Sequence, residues 1–181
     1  MKMSQDVKIK LLPLIMTAVV IAVDQVVKQI VTTILPINGS VEVIDDFLRI
    51  THRRNPYIIF GGGGDLPPVF QTVLFLLLPV LALGMLVFFY FREKELRREY
   101  RLPLCAIMGG GLGNLIDRLI RPEGVVDFID FNFFGLLGLR RWPTFNVADM
   151  SIVVSVGVIL VIALAHAIRR RKKPESPPVN P

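Results

Sequence analysis

Residues 69–91 form the sequence feature that most restricts the fold, because this stretch contains no charged residue. A helix rises about 1.5 Å per residue, so the stretch is long enough to cross a hydrocarbon layer of about 30 Å. The chain of 181 residues is 52% hydrophobic, with a mean hydropathy of +0.57. These values indicate a single integral membrane unit rather than a soluble globular protein.

Three other apolar runs have the length of membrane spans, at residues 10–35, 102–120 and 147–168. Each of them also carries polar side chains near one end. The sequence therefore predicts an all-α integral membrane fold with four transmembrane helices. We expect residues 1–173 to form its single domain and the proline-rich residues 174–181 to form a disordered tail.

Basic residues flank the spans in three places, at residues 2–10, 92–101 and 169–173. The positive-inside tendency assigns these regions to the cytoplasm, so both termini are expected there. The connections at residues 36–68 and 121–145 then lie outside. We expect no cleavable secretory signal, because the first span carries charges in its second half and no small-residue cleavage site follows it.

With this topology, the polar residues inside the spans converge on the outer leaflet. Asp24 and Lys28 lie one helical turn apart on one face of the first span. The others are Asn114, Asp117 and Arg118 in the third span and Asn146 and Asp149 at the start of the fourth. Ionisable groups inside a membrane are costly, so they usually face the bundle interior and mark a functional site.

The outer connections are expected to form small structured pieces. Residues 40–52 alternate apolar and polar side chains, which predicts a short β-element between the first two spans. Asn55-Pro56 indicates a turn, and Phe60 followed by the glycines at 61–64 indicates a flexible joint. The aromatic residues at 128–142 predict a segment lying in the membrane interface.

Other chemistries have little support in the sequence. Cys105 is the single cysteine, which excludes an intrachain disulfide, and the distant histidines His52 and His166 disfavour a metal site or a Ser/His triad. Ser151 has no residue placed to activate it. We therefore predict no metal and no cofactor. The net charge of +6 reflects membrane topology and does not indicate nucleic acid binding.

Asp127 and Asp149 are the candidate functional carboxylates, and the residues alone leave two interpretations open. In the first, the two aspartates form a catalytic pair. In the second, they have separate structural roles: Asp149 lies in the first turn of a helix, where the dipole favours a carboxylate, and Asp127 ends a loop.

A small proton-coupled transporter or channel subunit is the alternative function. A relay of buried carboxylates should cross both leaflets, yet the inner halves of the spans contain no aspartate or glutamate. A purely structural membrane partner would need no carboxylates.

Five blocks of this chain, in order from the first span to the fourth, resemble those of the bacterial lipoprotein signal peptidases, the signal peptidase II family. The blocks are residues 24–28 (DQVVK), Asn55 with Phe60, residues 113–118 (GNLIDR), residues 124–128 (GVVDF) and residues 145–149 (FNVAD). One departure is visible at Tyr57 and Ile58, where the family commonly has small residues. The bulkier side chains bear on the shape of the substrate groove.

The resemblance implies an aspartic endopeptidase of the bacterial cytoplasmic (inner) membrane, with its active site towards the extracytoplasmic side. Such enzymes cleave prolipoproteins immediately before a cysteine that carries a diacylglyceryl group, and they bind the cyclic peptide globomycin. By this resemblance Asp127 and Asp149 are the catalytic dyad. The expected substrate-binding or supporting residues are Asn55, Asn114, Arg118, Asn146, Asp24, Lys28 and Asp117. Membrane lipid is the other expected partner.

Overall fold

The structure is a computed structural model that describes residues 5–56 and 67–171 of the chain. Its helices are α1 (Gln5–Leu11), α2 (Leu14–Ile34), α3 (Pro68–Thr72), α4 (Leu78–Arg92), α5 (Arg98–Ile120) and α6 (Val147–Arg171), and its strands are β1 (Ser40–Ile44), β2 (Leu48–Asn55) and β3 (Val125–Phe131). A π-helical segment at Val73–Leu77 joins α3 to α4. The features expected at Tyr57, Ile58, Phe60, residues 61–64 and the tail at 174–181 lie outside the described residues.

Three helical stretches within the described residues are long and apolar enough to cross a membrane, at Lys8–Ile34, Val69–Arg92 and Val147–Arg170. The first has a break in it, since α1 ends at Leu11 and α2 begins at Leu14, on either side of Pro13. The remaining long helix, α5, has 23 residues and packs against α2, α4 and α6. Because α5 is surrounded by other helices, it can carry polar residues and glycines at positions where a lipid-facing helix would carry apolar residues.

The glycines of α5 let the neighbouring helices approach closely. A Cβ atom at Gly109 would lie 2.7 Å from Cβ of Val20 on α2, and one at Gly110 would lie 2.4 Å from the carbonyl oxygen of Ala148 on α6. Both separations are shorter than van der Waals contact allows. This glycine run therefore serves close helix packing.

The strands form one antiparallel sheet in the order β1-β2-β3. The predicted β-element between the first two spans is therefore present, but the prediction was incomplete, because its third strand comes from the segment between α5 and α6. Arg53 on β2 stands opposite Asp127 on β3, and Asn55 stands opposite Val125. Asp127 consequently lies within a strand rather than at the end of a loop.

Two apolar clusters hold the ends of the structure together. Val126 and Phe128 of β3 pack with Val31 of α2, which fixes the sheet to one end of the helices. Tyr90 and Cys105 belong to a second cluster towards the other end. The aromatic rings predicted for the interface pack partly on one another, as Phe131 does on Phe47 with ring centroids 5.3 Å apart.

Candidate active site

Asp127 is buried on β3, with 2% of its surface exposed. Its Oδ2 accepts a hydrogen bond of 2.9 Å from the side-chain amide of Asn55, at the end of the neighbouring strand. Its Oδ1 accepts one of 2.7 Å from the side-chain amide of Asn146. Gly124 makes this arrangement possible, because its φ of +97° is unfavourable for other residues and a Cβ atom there would lie 2.4 Å from the carbonyl oxygen of Asn55.

Asp149 lies in the first turn of α6 and takes part in a reciprocal helix cap. The backbone N–H of Asp149 donates to Oδ1 of Asn146 over 2.9 Å, and the backbone N–H of Asn146 donates to Oδ2 of Asp149 over 3.2 Å. This is the capping-box arrangement, with asparagine and aspartate in place of the usual residues. The other carboxylate oxygen, Oδ1, accepts 2.7 Å from the side-chain amide of Asn114 on α5.

Asn146 connects the two aspartates. Its fully buried side chain caps α6 through its oxygen, and its amide group donates both to Asp127 and, over 3.1 Å, to Oδ1 of Asn114. Both amide hydrogens of Asn146 are therefore used, which fixes the orientation of the side chain. Asp127 and Asp149 are held next to each other by one shared neighbour.

A buried ion cluster lies beside this pair. The ammonium group of Lys28 is 2.8 Å from Oδ2 of Asp24 and 3.0 Å from Oδ2 of Asp117, and all three side chains are fully buried. Lys28 also donates to Oδ1 of Asn114 over 3.0 Å. Asp24 and Lys28 therefore form a buried ion pair, and the lysine uses all three of its donors.

The two carboxylates of the cluster also fix the backbone beside each candidate catalytic residue. Asp24 accepts 2.9 Å from the N–H of Ala148, the residue before Asp149. Asp117 accepts 3.0 Å from the N–H of Val126, the residue before Asp127. The ion cluster of Asp24, Lys28 and Asp117 on α2 and α5 thus positions both the start of α6 and the first part of β3.

Arg118, one of the expected substrate-binding or supporting residues, donates 3.2 Å to the carbonyl oxygen of Asn114. It also lies within electrostatic range of Asp127 and Asp149. The arginine that hydrogen-bonds Asp117 is Arg121, the residue directly after the end of α5, and it was not predicted. Gln25 was missed as well; its amide donates to Asp24 over 3.1 Å and to Asp117 over 3.0 Å.

Burial, with a further contribution from the nearby carboxylate of Asp149, raises the pKa of Asp127 to about 7. The hydrogen bonds from Asn55 and Asn146 and the charge of Lys28 act in the opposite direction. Desolvation disfavours the charged form of a carboxyl group, and a second carboxylate does the same. A pair of this kind can hold one proton near neutral pH, which is the state that acid–base catalysis at an amide bond requires.

The residues left out of the predicted site have structural contacts. The ring of His52 bonds the carbonyl oxygen of Leu35 at 2.9 Å, and the hydroxyl of Ser151 donates 2.8 Å to the carbonyl oxygen of Ala148. His166 is 3.3 Å from Glu99, near the start of α5. Cys105 is a buried free cysteine.

Comparison with known proteins places this arrangement in a family. A family model for signal peptidase II matches residues 16–165. The lipoprotein signal peptidase of Treponema pallidum is 39% identical over 98% of this chain and 94% of its own length. That of Treponema denticola is 42% identical over 91% of this chain and 95% of its own length.

The fold is also similar to that of solved proteins. A bacterial membrane enzyme determined by the in meso method superposes with a TM-score of 0.73 at 32% identity, covering 91% of this chain and 94% of the other. A second such structure gives a TM-score of 0.71 at 33% identity. Sequence and fold agree over nearly the whole length, and the chain belongs to the signal peptidase II family of peptidases.

Proposed function

We propose that this protein removes the signal peptide from prolipoproteins, cutting before the diacylglyceryl-modified cysteine, with Asp127 and Asp149 as an aspartic dyad. The observation that carries the proposal is the buried contact of both aspartates with Asn146. The relatives named lipoprotein signal peptidase support the substrate class. No feature of the described residues favours the transporter alternative.

The proposed topology has four spans, with both termini in the cytoplasm and the aspartates at the extracytoplasmic side of the bacterial cytoplasmic membrane. Three spans are supported by length and composition. The fourth, α5, is packed among the other three helices, so a polar composition is compatible with a transmembrane position. The basic residues of the α4–α5 connection lie at the end of α5 distant from Asp117, as the positive-inside tendency requires.

In the proposed reaction the dyad shares one proton, held mainly by Asp127. Asp149 lies at the helix N-terminus, where the dipole favours negative charge, and it removes a proton from a water molecule as that water attacks the scissile carbonyl carbon. Asp127 donates its proton to the carbonyl oxygen. As the tetrahedral intermediate collapses, Asp127 takes back the proton of its hydroxyl group, the C–N bond breaks, and the amine of the cysteine leaves with the proton taken up by Asp149.

Exposed apolar surface beside the site can accommodate the acyl chains of the substrate. Apolar side chains on the same ends of α2 and α5 are exposed, among them Val26 at 58% and Leu119 at 65%. Acyl chains lying against these faces would stay in the hydrocarbon while the peptide reaches the dyad. Asn55 is the proposed contact for the extended peptide, and a globomycin-type inhibitor would occupy the same groove.

The test is cleavage of a diacylglyceryl-modified prolipoprotein by the purified protein in detergent. Asp127→Asn and Asp149→Asn keep the shape of the site and remove the shared proton. We expect each to lower the turnover number by at least about a thousandfold. Asp45→Asn, a change at an exposed carboxylate of the β1–β2 turn, is the matched control and should retain full activity.

Folding of both variants is checked by their thermal unfolding temperature in the same detergent. Near-normal turnover by either folded variant would show that its aspartate is only a structural cap. Absence of cleavage by the unmodified protein would contradict the proposed substrate.

A further inference from the structure

Arg101 is a buried cation at the end of the bundle away from the aspartates. It lies in the first part of α5 (Arg98–Ile120), whereas Asn114 and Asp117 lie in the last part. Only 3% of its surface is exposed. Neither the dyad nor the Lys28 cluster involves this residue, so the peptidase site does not account for a charge buried here.

The guanidinium group of Arg101 has fewer hydrogen bonds than its position demands. Its Cζ lies 5.3 Å from the ring centroid of Tyr90, and Nη2 donates 3.2 Å to the carbonyl oxygen of Leu96. The hydroxyl of Tyr90 also interacts with the guanidinium group, but among the described residues no acceptor forms a hydrogen bond with Nε or Nη1, although both atoms are buried. Buried donors are nearly always satisfied in folded proteins, so these two N–H groups indicate an acceptor other than the described residues.

A cavity of about 250 Å³ adjoins this guanidinium group. Its polar lining residues, Lys8 and Arg98 together with Arg101, are all basic, and the rest of the lining is Ile9, Leu12 and Pro13. The nearby acid Glu99 lies close to other partners, Arg97 and His166. No acidic residue among those described lines this cavity, so its described walls leave the positive charge unneutralised.

We propose that this cavity binds the phosphate group of an anionic phospholipid. The planar guanidinium fork matches phosphate oxygens, and a charged acceptor would satisfy the two free N–H groups of Arg101. Lys8 and Arg98 add charge at the rim. The N-terminus of α5, a helix of 23 residues, contributes a favourable dipole at the same place.

The apolar part of the lining favours a lipid over a free phosphate ion. Leu12 is 67% exposed, and beyond it Ile15 and Leu102 are 60% and 49% exposed on the helix surfaces that face the hydrocarbon. A headgroup seated against Arg101 would leave its acyl chains along these side chains. A free phosphate ion would gain nothing from them.

The experiment measures binding of phosphatidylglycerol to the purified full-length protein in detergent by native mass spectrometry. We expect Arg101→Gln to raise the Kd at least about tenfold, because charge-assisted hydrogen bonds are lost. A double variant at the rim, Lys8→Gln with Arg98→Gln, should also raise it several-fold. Arg92→Gln, which changes an exposed arginine outside the cavity, should leave the Kd within about twofold of that of the unmodified protein.

The rim variant keeps the test decisive if Arg101→Gln does not fold. Native affinity in the rim variant and in any folded Arg101→Gln protein would overturn the proposal. A second arm adds inorganic phosphate at millimolar concentration. Retention of phosphatidylglycerol in its presence supports a lipid site, whereas complete displacement of the lipid would show that the cavity binds free phosphate instead. No step of this test depends on peptidase activity.

Discussion

Replacing Lys28 with methionine tests whether the buried ion cluster holds the site together. Methionine has nearly the length of lysine and no charge, so the change removes the ammonium group with little change in packing. The carboxylates of Asp24 and Asp117, now 2.8 and 3.0 Å from Lys28, would remain buried. Asp117 keeps Arg121 as a counterion, whereas Asp24 loses its cation.

The expected magnitude follows from the burial of all three side chains. Removing one partner of a buried ion pair costs about 3–5 kcal/mol, because the other charge is left without compensation. For a chain of this size each kcal/mol lowers the unfolding temperature by about 2–4 °C. Lys28→Met should therefore lower the Tm by roughly 6–20 °C.

The assay is thermal unfolding in detergent, followed by circular dichroism at a fixed heating rate. Adding Asp24→Asn to Lys28→Met removes the uncompensated charge and should recover a large part of the lost Tm. The control is Lys94→Met, at an exposed lysine, which should change the Tm by less than about 2 °C. A Lys28→Met protein within about 2 °C of the unmodified Tm, or a double variant less stable than the single one, would refute the reasoning.

Two further predictions concern the dyad and the helix contacts. The pKa of Asp127, raised to about 7, predicts that cleavage falls as the pH rises through 7, because the shared proton is lost. Asn55→Ala removes a hydrogen bond that favours ionised Asp127, so this falling limb of the pH–rate profile should move to higher pH; an unmoved limb would contradict the assigned contact. Gly110→Ala should destabilise the protein by about 1–3 kcal/mol, because the new Cβ would lie 2.4 Å from the carbonyl oxygen of Ala148. Gly111→Ala should be nearly neutral, since the atom nearest to its new Cβ would be 3.5 Å away. Chemical denaturation measures both changes, and equal effects would argue against close α5–α6 packing.

The sequence was sufficient for the parts of the site that depend on helical spacing and membrane depth. Asp24 and Lys28 are four residues apart on one face, a spacing that favours the ion pair found between them. Asn146 and Asp149 have the spacing of a capping box, so their contact has a recognisable local signal. The glycines of α5 lie inside an apolar run, which is the sequence signal for close helix packing.

The sequence was not sufficient where the contact depends on distant pairing. Asp127 lies on a strand whose partner, β2, is far away in the chain, and the segment has no turn or periodicity that shows this pairing. Gln25 was missed for the same reason, because only the packing of α2 against α5 brings it to Asp117. Arg121 is different: it is four residues from Asp117, a spacing that the sequence shows.

The double use of Asn146 restricts where the chain can change in length. Its side-chain oxygen sets the first residue of α6, while its amide group binds Asp127 and Asn114. An inserted residue next to Asn146 would rotate α6 by about 100° relative to its cap and separate Asp149 from Asp127. Insertions before Arg140, in the exposed segment around Gly135 and Gly138, would leave both functions in place. Natural variation in length should therefore concentrate there.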